Sequence, residues 1–341
     1  MDAPVKAGFF AAGALSINRI SWPNFPEPTP LSKTRAMAQI SIRALLLTLA
    51  VCGTTSTALA QDRGTLDPKP LPPLEKPDDP STPAKELFGR KPTPAPLATR
   101  SIGYYTSGCL AGAKALPING PTWQVMRLSR NRNWGHPDLI KFLERLANKA
   151  PKVGWPGLLV GDMAQPRGGP MLTGHWSHQV GLDADIWLTP MPDREFTRAE
   201  REELSATNVV ADDWNDINPA IWSPAHIAVL KAAAQDNDVE RVLVNPAIKK
   251  ALCRDVTGDR SWLHKLRPVF GHNYHFHVRI GCPKGSTDCK AQPPIPTDDG
   301  CGKDLDWWFT EKARNPPPGP GRKPLKMSQL PPACKQVLLA P

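Results

Sequence analysis

Five of the eight histidines in this 341-residue chain fall in two short stretches. The first reads Gly174-His175-Trp-Ser-His178-Gln-Val-Gly-Leu-Asp183-Ala-Asp185, the second Gly271-His272-Asn-Tyr-His275-Phe-His277-Val-Arg279. Imidazole nitrogens with a carboxylate are the donor set that a divalent zinc ion takes. Three such ligands leave a fourth position for water, which is the layout of a catalytic rather than a structural site. A lone histidine is usually an ordinary surface or core residue; five in two clusters, each on or beside a strand, point to metal. Side chains alternate faces along a strand, so Asp183 and Asp185 point the same way, as do His275 and His277. The latter two lie about 6.5–7 Å apart along the strand, so one ring can ligate while its neighbour faces the bound water. His178, on a glycine-flanked loop ahead of its strand, can fold back toward Asp185. Asp183 is either a partner that fixes a histidine tautomer or a surface carboxylate, and the residues leave both open.

The His-x-x-His at 175–178 is not the His-Glu-x-x-His of helical zinc proteases. Trp176 replaces the glutamate, and glycines on both sides argue against a helix. His136 falls at a helix start, where it caps the helix or lines the cleft. His226 and His264 read as structural, and Trp307 and Trp308 as core.

Alternating or continuous apolar runs predict strands over 122–129, 157–162, 182–189, 239–245 and 274–281. Helical spacing marks 137–151, with Pro137 in the first turn and Leu139, Phe142, Leu143 and Leu146 on one face, followed by helices over 223–236 and 246–253. Mixed elements without a regular strand–helix–strand rhythm indicate an α+β fold. There is no internal repeat and no glycine-rich phosphate loop.

Forty prolines punctuate the chain, ten of them between Pro68 and Pro96 and eight between Pro316 and Pro341. Such stretches cannot be central strands or helix interiors. They leave 101–310 as one folding unit between a leader over 61–100, expected as an extended spacer, and a proline-rich tail over 311–341. Residues 37–60 read as a secretory signal, with Arg43 ahead of a short apolar run and a small-residue cleavage site ending at Ala60. Met37 is then the expected start, and 1–36 an upstream extension. Cleavage leaves 37 basic against 30 acidic side chains, a net of +7 from the +10 of the whole chain. That balance favours an anionic partner, but export and the lack of any nucleic-acid module argue against nucleic acid. No apolar run reaches the roughly 18–20 residues of a transmembrane helix. Six cysteines remain after Cys52 leaves with the signal; an even number in an exported chain suggests three disulfides, with fifteen pairings open.

The motifs Ser-His-Gln-x-Gly-Leu-Asp-x-Asp at 177–185 and His-x-x-His-x-His-Val-Arg at 272–279 resemble those of the penicillin-insensitive murein endopeptidases, a family of LAS-type zinc metallopeptidases. Stretches at 128–140, 244–249 and 300–309 support the resemblance, which spans most of 101–310. It implies an α+β domain with a central antiparallel sheet flanked by helices and long loops. It also implies a zinc ion held by His178, Asp185 and His277, with His175 an additional metal-site residue and His272 and His275 flanking them. The disulfides it implies are Cys109–Cys334, Cys253–Cys301 and Cys282–Cys289. A second metal site, which some relatives build on Asp-x-x-His, corresponds here to Asp213-Trp-Asn-Asp216, with aspartate in place of histidine.

The activity implied is periplasmic hydrolysis of D-alanyl–meso-diaminopimelyl crosslinks in peptidoglycan (murein) by a metal-activated water. His275 is the candidate general base, because it shares a strand face with His277 and titrates in the useful range. His272 would orient it or stabilise the developing oxyanion. The chain contains no Ser-x-x-Lys, Ser-Asp-Asn or Lys-Thr-Gly set, so it offers penicillin no serine nucleophile of that kind. The alternatives are a D,D-dipeptidase or carboxypeptidase of the same superfamily, and a non-catalytic wall-binding protein tethered by its proline-rich ends. Oligomeric state stays open, a dimer included.

Overall fold

From the amino end, the residues described in this computed structural model (63–317 and 321–341) begin with a short helix, α1 (Ala84–Phe88), and a hairpin of β1 (Arg100–Tyr104) and β2 (Ser107–Ala111). The region expected as extension and signal lies outside the described residues. Next come β3 (Lys114–Ala115), β4 (Asn119–Gly120), β5 (Trp123–Val125), β6 (Trp134–Gly135) and the helix α2 (Pro137–Lys149). Strands β7 (Leu158–Val160) and β8 (Asp183–Trp187) precede α3 (Arg198–Glu203) and α4 (Pro224–Ala234). The chain continues through β9 (Val239–Val244), α5 (Pro246–Asp255), β10 (Leu266–Pro268) and β11 (His275–Ile280). It closes with α6 (Lys303–Trp307), α7 (Glu311–Arg314) and α8 (Ala333–Leu339).

The fold is α+β. Seven strands form the main sheet in the order β10-β9-β11-β8-β7-β5-β4. Its centre, β9-β11-β8-β7, is antiparallel, and one parallel pairing flanks it on each side, β10 on β9 and β5 on β7. Period-two alternation divides the central strands. Ala184, Ile186, Phe276 and Val278 join the main core with the apolar faces of α2, α4 and α5. The alternate residues, Asp183 and Asp185 on β8 and His275, His277 and Arg279 on β11, are left for the other face.

Helix α2 shows why this sequence forms that core. Pro137 occupies its first turn, and the His136 side chain accepts the Asp138 N–H at 3.2 Å, so His136 is a helix cap. Leu139, Phe142, Leu143 and Leu146 are buried as their spacing predicts. Each such side chain contributes about 1.5–3 kcal/mol by leaving water. The strand predicted over 122–129 stops at Val125. Arg127 turns into the left-handed region (φ 58°), where its guanidinium donates to the Arg201 and Leu204 carbonyls.

The leader differs from the extended spacer that its prolines suggest. Ala84, Phe88 and Ala95 are buried, in one cluster with Ile102, Cys109, Leu330 and Val337. The Ala84 N–H donates to the Leu325 carbonyl at 2.7 Å, so leader and tail meet. Gly169, at φ 74°, gives Phe88 its space: a Cβ there would collide with the ring. Proline density concealed one aromatic anchor, and that anchor docks the segment. The tail is held as well, by the Cys109–Cys334 disulfide and by Arg167, whose guanidinium donates to the carbonyls of Val337, Leu338, Ala340 and Pro341. Cys253–Cys301 and Cys282–Cys289 are the other two bridges.

Candidate metal centre and active site

β8 and β11 pair in the register that places His277 directly opposite Asp185, His275 opposite Trp187, and Arg279 opposite Asp183. Opposed residues on one face of an antiparallel pair stand about 4.5–5.5 Å apart at Cβ, so this register brings imidazole and carboxylate together. The Asp185 Oδ1 atom lies 3.1 Å from His277 Nδ1, 3.5 Å from His178 Nε2 and 3.6 Å from His275 Nε2. Its Oδ2 lies 3.4 Å from His175 Nδ1. His272 approaches from the loop before β11, its ring centre 4.9 Å from that of His275 and 6.0 Å from that of His277. All six candidate residues thus converge, and they line or border a cleft of about 870 Å³.

Two of the histidines are held at a conformational cost. His178 and His272 both have left-handed backbones, at φ 65° and 51°, which costs roughly 1–3 kcal/mol apiece. For His178 the tether is Asp183, whose Oδ2 accepts its N–H at 3.0 Å. The same buried carboxylate, through Oδ1, accepts from His277 Nε2 at 2.9 Å and from Arg279 Nε at 2.5 Å. Asp183 is therefore the buried partner, not the surface residue, of the two readings left open above. With Nε2 committed to Asp183, Nδ1 is the ring nitrogen that faces Asp185. Burial disfavours the Asp183 charge, yet Arg279 and His277 outweigh it and hold the carboxyl below its usual range.

A second buried carboxylate escaped the sequence reading. Asp162 follows β7 and accepts from His175 Nε2 at 3.0 Å, from Arg130 at 3.0 Å and from Arg132 at 2.9 Å. Burial works against its charge too, but the His175 hydrogen bond and the two arginines keep it ionised. The one sequence signal was an acidic residue closing an otherwise apolar strand.

His178 Nδ1, His178 Nε2 and Asp185 Oδ1 are buried and make no hydrogen bond. Leaving such groups unsatisfied costs about 1–3 kcal/mol each. Ligand atoms of His175, His178 and Asp185 all lie within 4.8 Å of one another, and the Asp185 oxygens stand 3.1 Å from His277, 3.4 Å from His175 and 3.5 Å from His178, close to the roughly 3.3–3.6 Å edge of a tetrahedron whose nitrogen and oxygen ligands lie about 2.0–2.2 Å from one cation. The donor set therefore fits a metal ion, and among the described residues it is the only such group found. At the stretch considered for a second metal, both Asp213 oxygens accept from Asn215, and Asp216 pairs with Arg254 at 2.6 Å.

Beside the donor set, burial pushes the pKa of His275 down to about 4, below the near-neutral range expected from its residue type, with neighbouring histidines adding to the effect. Burial, with His275 and His277 close by, pushes His272 down to about 3. Both rings are thus neutral near pH 7 and able to accept a proton. His272 Nδ1 lies 3.2 Å from the Phe270 carbonyl, which can only accept, so that nitrogen carries the proton and Nε2 is the free acceptor. His226 caps α4 through Ser223, and His264 is not among the residues that line the cleft. Trp307, expected in the core, is 48% exposed.

The profile of the penicillin-insensitive murein endopeptidase family matches residues 101–339. The chain belongs to this family of peptide-bond hydrolases. It is 45% identical over 258 residues to a penicillin-insensitive murein endopeptidase of Haemophilus influenzae, covering 74% of this chain and 87% of the relative. Its identity to one from Klebsiella pneumoniae is 44% over 244 residues, or 71% and 86% of the two chains. The Escherichia coli O1:K1 / APEC protein of the same description is 44% identical over 248 residues, 72% of this chain and 88% of that one. The family match runs on through α8, which packs against β1 and β2.

Proposed function

We propose that the chain is a zinc-dependent DD-endopeptidase of the periplasm that hydrolyses D-alanyl–meso-diaminopimelyl crosslinks of murein. The observation that carries this reading is the set of unsatisfied, buried lone pairs on His178 and Asp185 beside a neutral His275 in the cleft. Membership of the family directs it toward murein. Three disulfides suit an oxidising compartment.

His178, Asp185 and His277 would hold the ion, with His175 beside them. When bound, zinc supplies Lewis acidity and lowers the pKa of a water toward about 7. Asp183 keeps His277 Nδ1 and the His178 backbone aimed at the site, and Asp162 does the same for His175. His275 takes the proton from the water as its oxygen adds to the scissile carbonyl carbon. It returns that proton to the departing diaminopimelyl nitrogen as the C–N bond breaks. His272, whose only donor is committed to the Phe270 carbonyl, offers Nε2 as an acceptor. That suits it to orient or relieve His275 rather than to donate to the oxyanion.

Digestion of crosslinked muropeptide dimers with and without chelator tests the reading. Loss of dimers without release of free D-alanine, abolished by chelation and restored by zinc, supports it. Release of free D-alanine supports a carboxypeptidase instead. A protein that holds no zinc, and whose murein cleavage survives His178→Ala, is not this enzyme.

A further inference from the structure

The cleft does not end at the histidines. Trp214 and Phe270 line it, and both also wall a neighbouring hollow of about 290 Å³. Trp308 and Phe309 complete the aromatic walls, and Asp213 and Arg314 supply polar edges. Phe270 and Trp308 meet edge to face with ring centres 5.0 Å apart. Phe309 is held by cations, with Lys250 Nζ 5.2 Å and the Arg314 guanidinium 5.5 Å from its ring centre. Arg314 also donates to the Trp214 carbonyl at 3.2 Å, which ties the two sides of the hollow together. Phe270 is 41% exposed, so these rings face water as well as one another.

Ring faces with charged groups at their edge make a particular kind of site. An aromatic wall covers the C–H face of a pyranose, and polar edges take up its hydroxyl and amide hydrogen bonds. The hollow is at the small end of ligand pockets, which run about 300–1,000 Å³. That is room for a sugar ring, and not for a helix. It adjoins the cleft, because Trp214 and Phe270 line both. Murein carries its peptides on a glycan strand, and a stem peptide spans roughly 3.3–3.6 Å per residue. A sugar and the peptide it bears can therefore occupy adjoining pockets.

We propose that the pocket walled by Trp214, Phe270, Trp308 and Phe309 is a saccharide subsite that holds a sugar of the glycan strand carrying the scissile crosslink. This rests on the murein reading above. It makes the protein a reader of the glycan as well as a cutter of the peptide.

The test compares muropeptide dimers that keep their disaccharides with the same dimers freed of sugar. Trp308→Ala should raise KM for the sugar-bearing dimer about tenfold, with kcat kept and the peptide-only dimer within about twofold of wild type. Trp308→Phe, which keeps a ring face, should restore most of the loss. Arg314→Ala, a second variant on the polar edge, should also act on the sugar-bearing dimer alone. Independently of turnover, the soluble N-acetylglucosaminyl–N-acetylmuramic acid disaccharide should quench tryptophan fluorescence in the wild type and not in Trp308→Ala. Equal losses on both dimers, or no disaccharide binding, would overturn the subsite. A wild type that cleaves neither dimer would instead refute the endopeptidase reading, while the disaccharide titration still decides the pocket.

Discussion

Replacing Asp183 by asparagine removes one charge and changes almost no volume, which isolates what this carboxylate does. Its two oxygens serve three buried donors: the His178 N–H, His277 Nε2 and Arg279 Nε. Asparagine has only one oxygen, and its NH2 must face a donor whichever way the amide is turned. At least one of the three loses its acceptor, at about 1–3 kcal/mol, and the buried Arg279 cation loses its counter-charge. Removing one partner of a buried ion pair costs about 3–5 kcal/mol when nothing replaces it. The remaining oxygen offsets part of that, so a net loss of about 3 kcal/mol is expected. At about 2–4 °C per kcal/mol for a domain of this size, Tm should fall by about 6–12 °C. Zinc affinity, measured by competition with a chromophoric chelator, should fall about 10–100-fold, because His277 is no longer fixed in one tautomer and His178 is less firmly held in its left-handed conformation. An Asp183→Asn protein with wild-type Tm and zinc affinity would refute the assignment of this residue as the anchor of both histidines.

His275→Ala should retain zinc and fold normally, yet lose about 10²–10⁴-fold in kcat, as single-turnover cleavage of muropeptide dimers will show. Lys249 is buried and does not line the cleft; its ammonium lies against the Leu263 and Asp299 carbonyls, and burial pushes its pKa down to about 7. The unfolded chain holds this proton up to about pH 10.4, so the unfolded state binds more protons between those values and stability rises with pH across that window. The difference in unfolding free energy between wild type and Lys249→Met should shift in favour of wild type from pH 7 to 10, by up to about 1.4 kcal/mol per pH unit, as denaturant unfolding at each pH will show; a flat difference would show that this amine does not titrate. Cys334→Ala opens a bridge between residues 225 positions apart. On chain-entropy grounds it should cost about 5 kcal/mol, read by denaturant unfolding, and it should expose the α8 backbone to hydrogen exchange.

Much of the site was legible because strands and helices have fixed periods. Alternation on β8 and β11 is enough to put Asp183 with Asp185 and His275 with His277 on shared faces. The apolar stripe of α2 and the caps of α4 and α5 are likewise local, and each boundary falls within a few residues of its sequence signal. Other features had little or no local signal. Phe88 looks like one apolar residue in a proline-rich leader until its contact with the tail is seen. Asp162 has the composition of a loop residue and acquires meaning only beside His175, Arg130 and Arg132. Trp307 has the hydrophobicity of a core residue but stands half in water, because α6 is too short and too peripheral to bury both members of the tryptophan pair.

The sequence by itself determined the donor chemistry: which side chains can hold a cation, which can accept a proton, and which of them share a strand face. These follow from residue type and backbone period, both properties of neighbours along the chain. Tertiary structure alone decided that β11 pairs with β8 in the register that sets His277 against Asp185, and that Asp183 is sealed from water beneath both histidines. It alone set an aromatic hollow beside the cleft, with Trp214 and Phe270 lining both. Register, burial and convergence depend on atoms about 90 residues apart meeting in one place. No local pattern encodes that meeting, because the free energy that selects it is summed over the whole packed core.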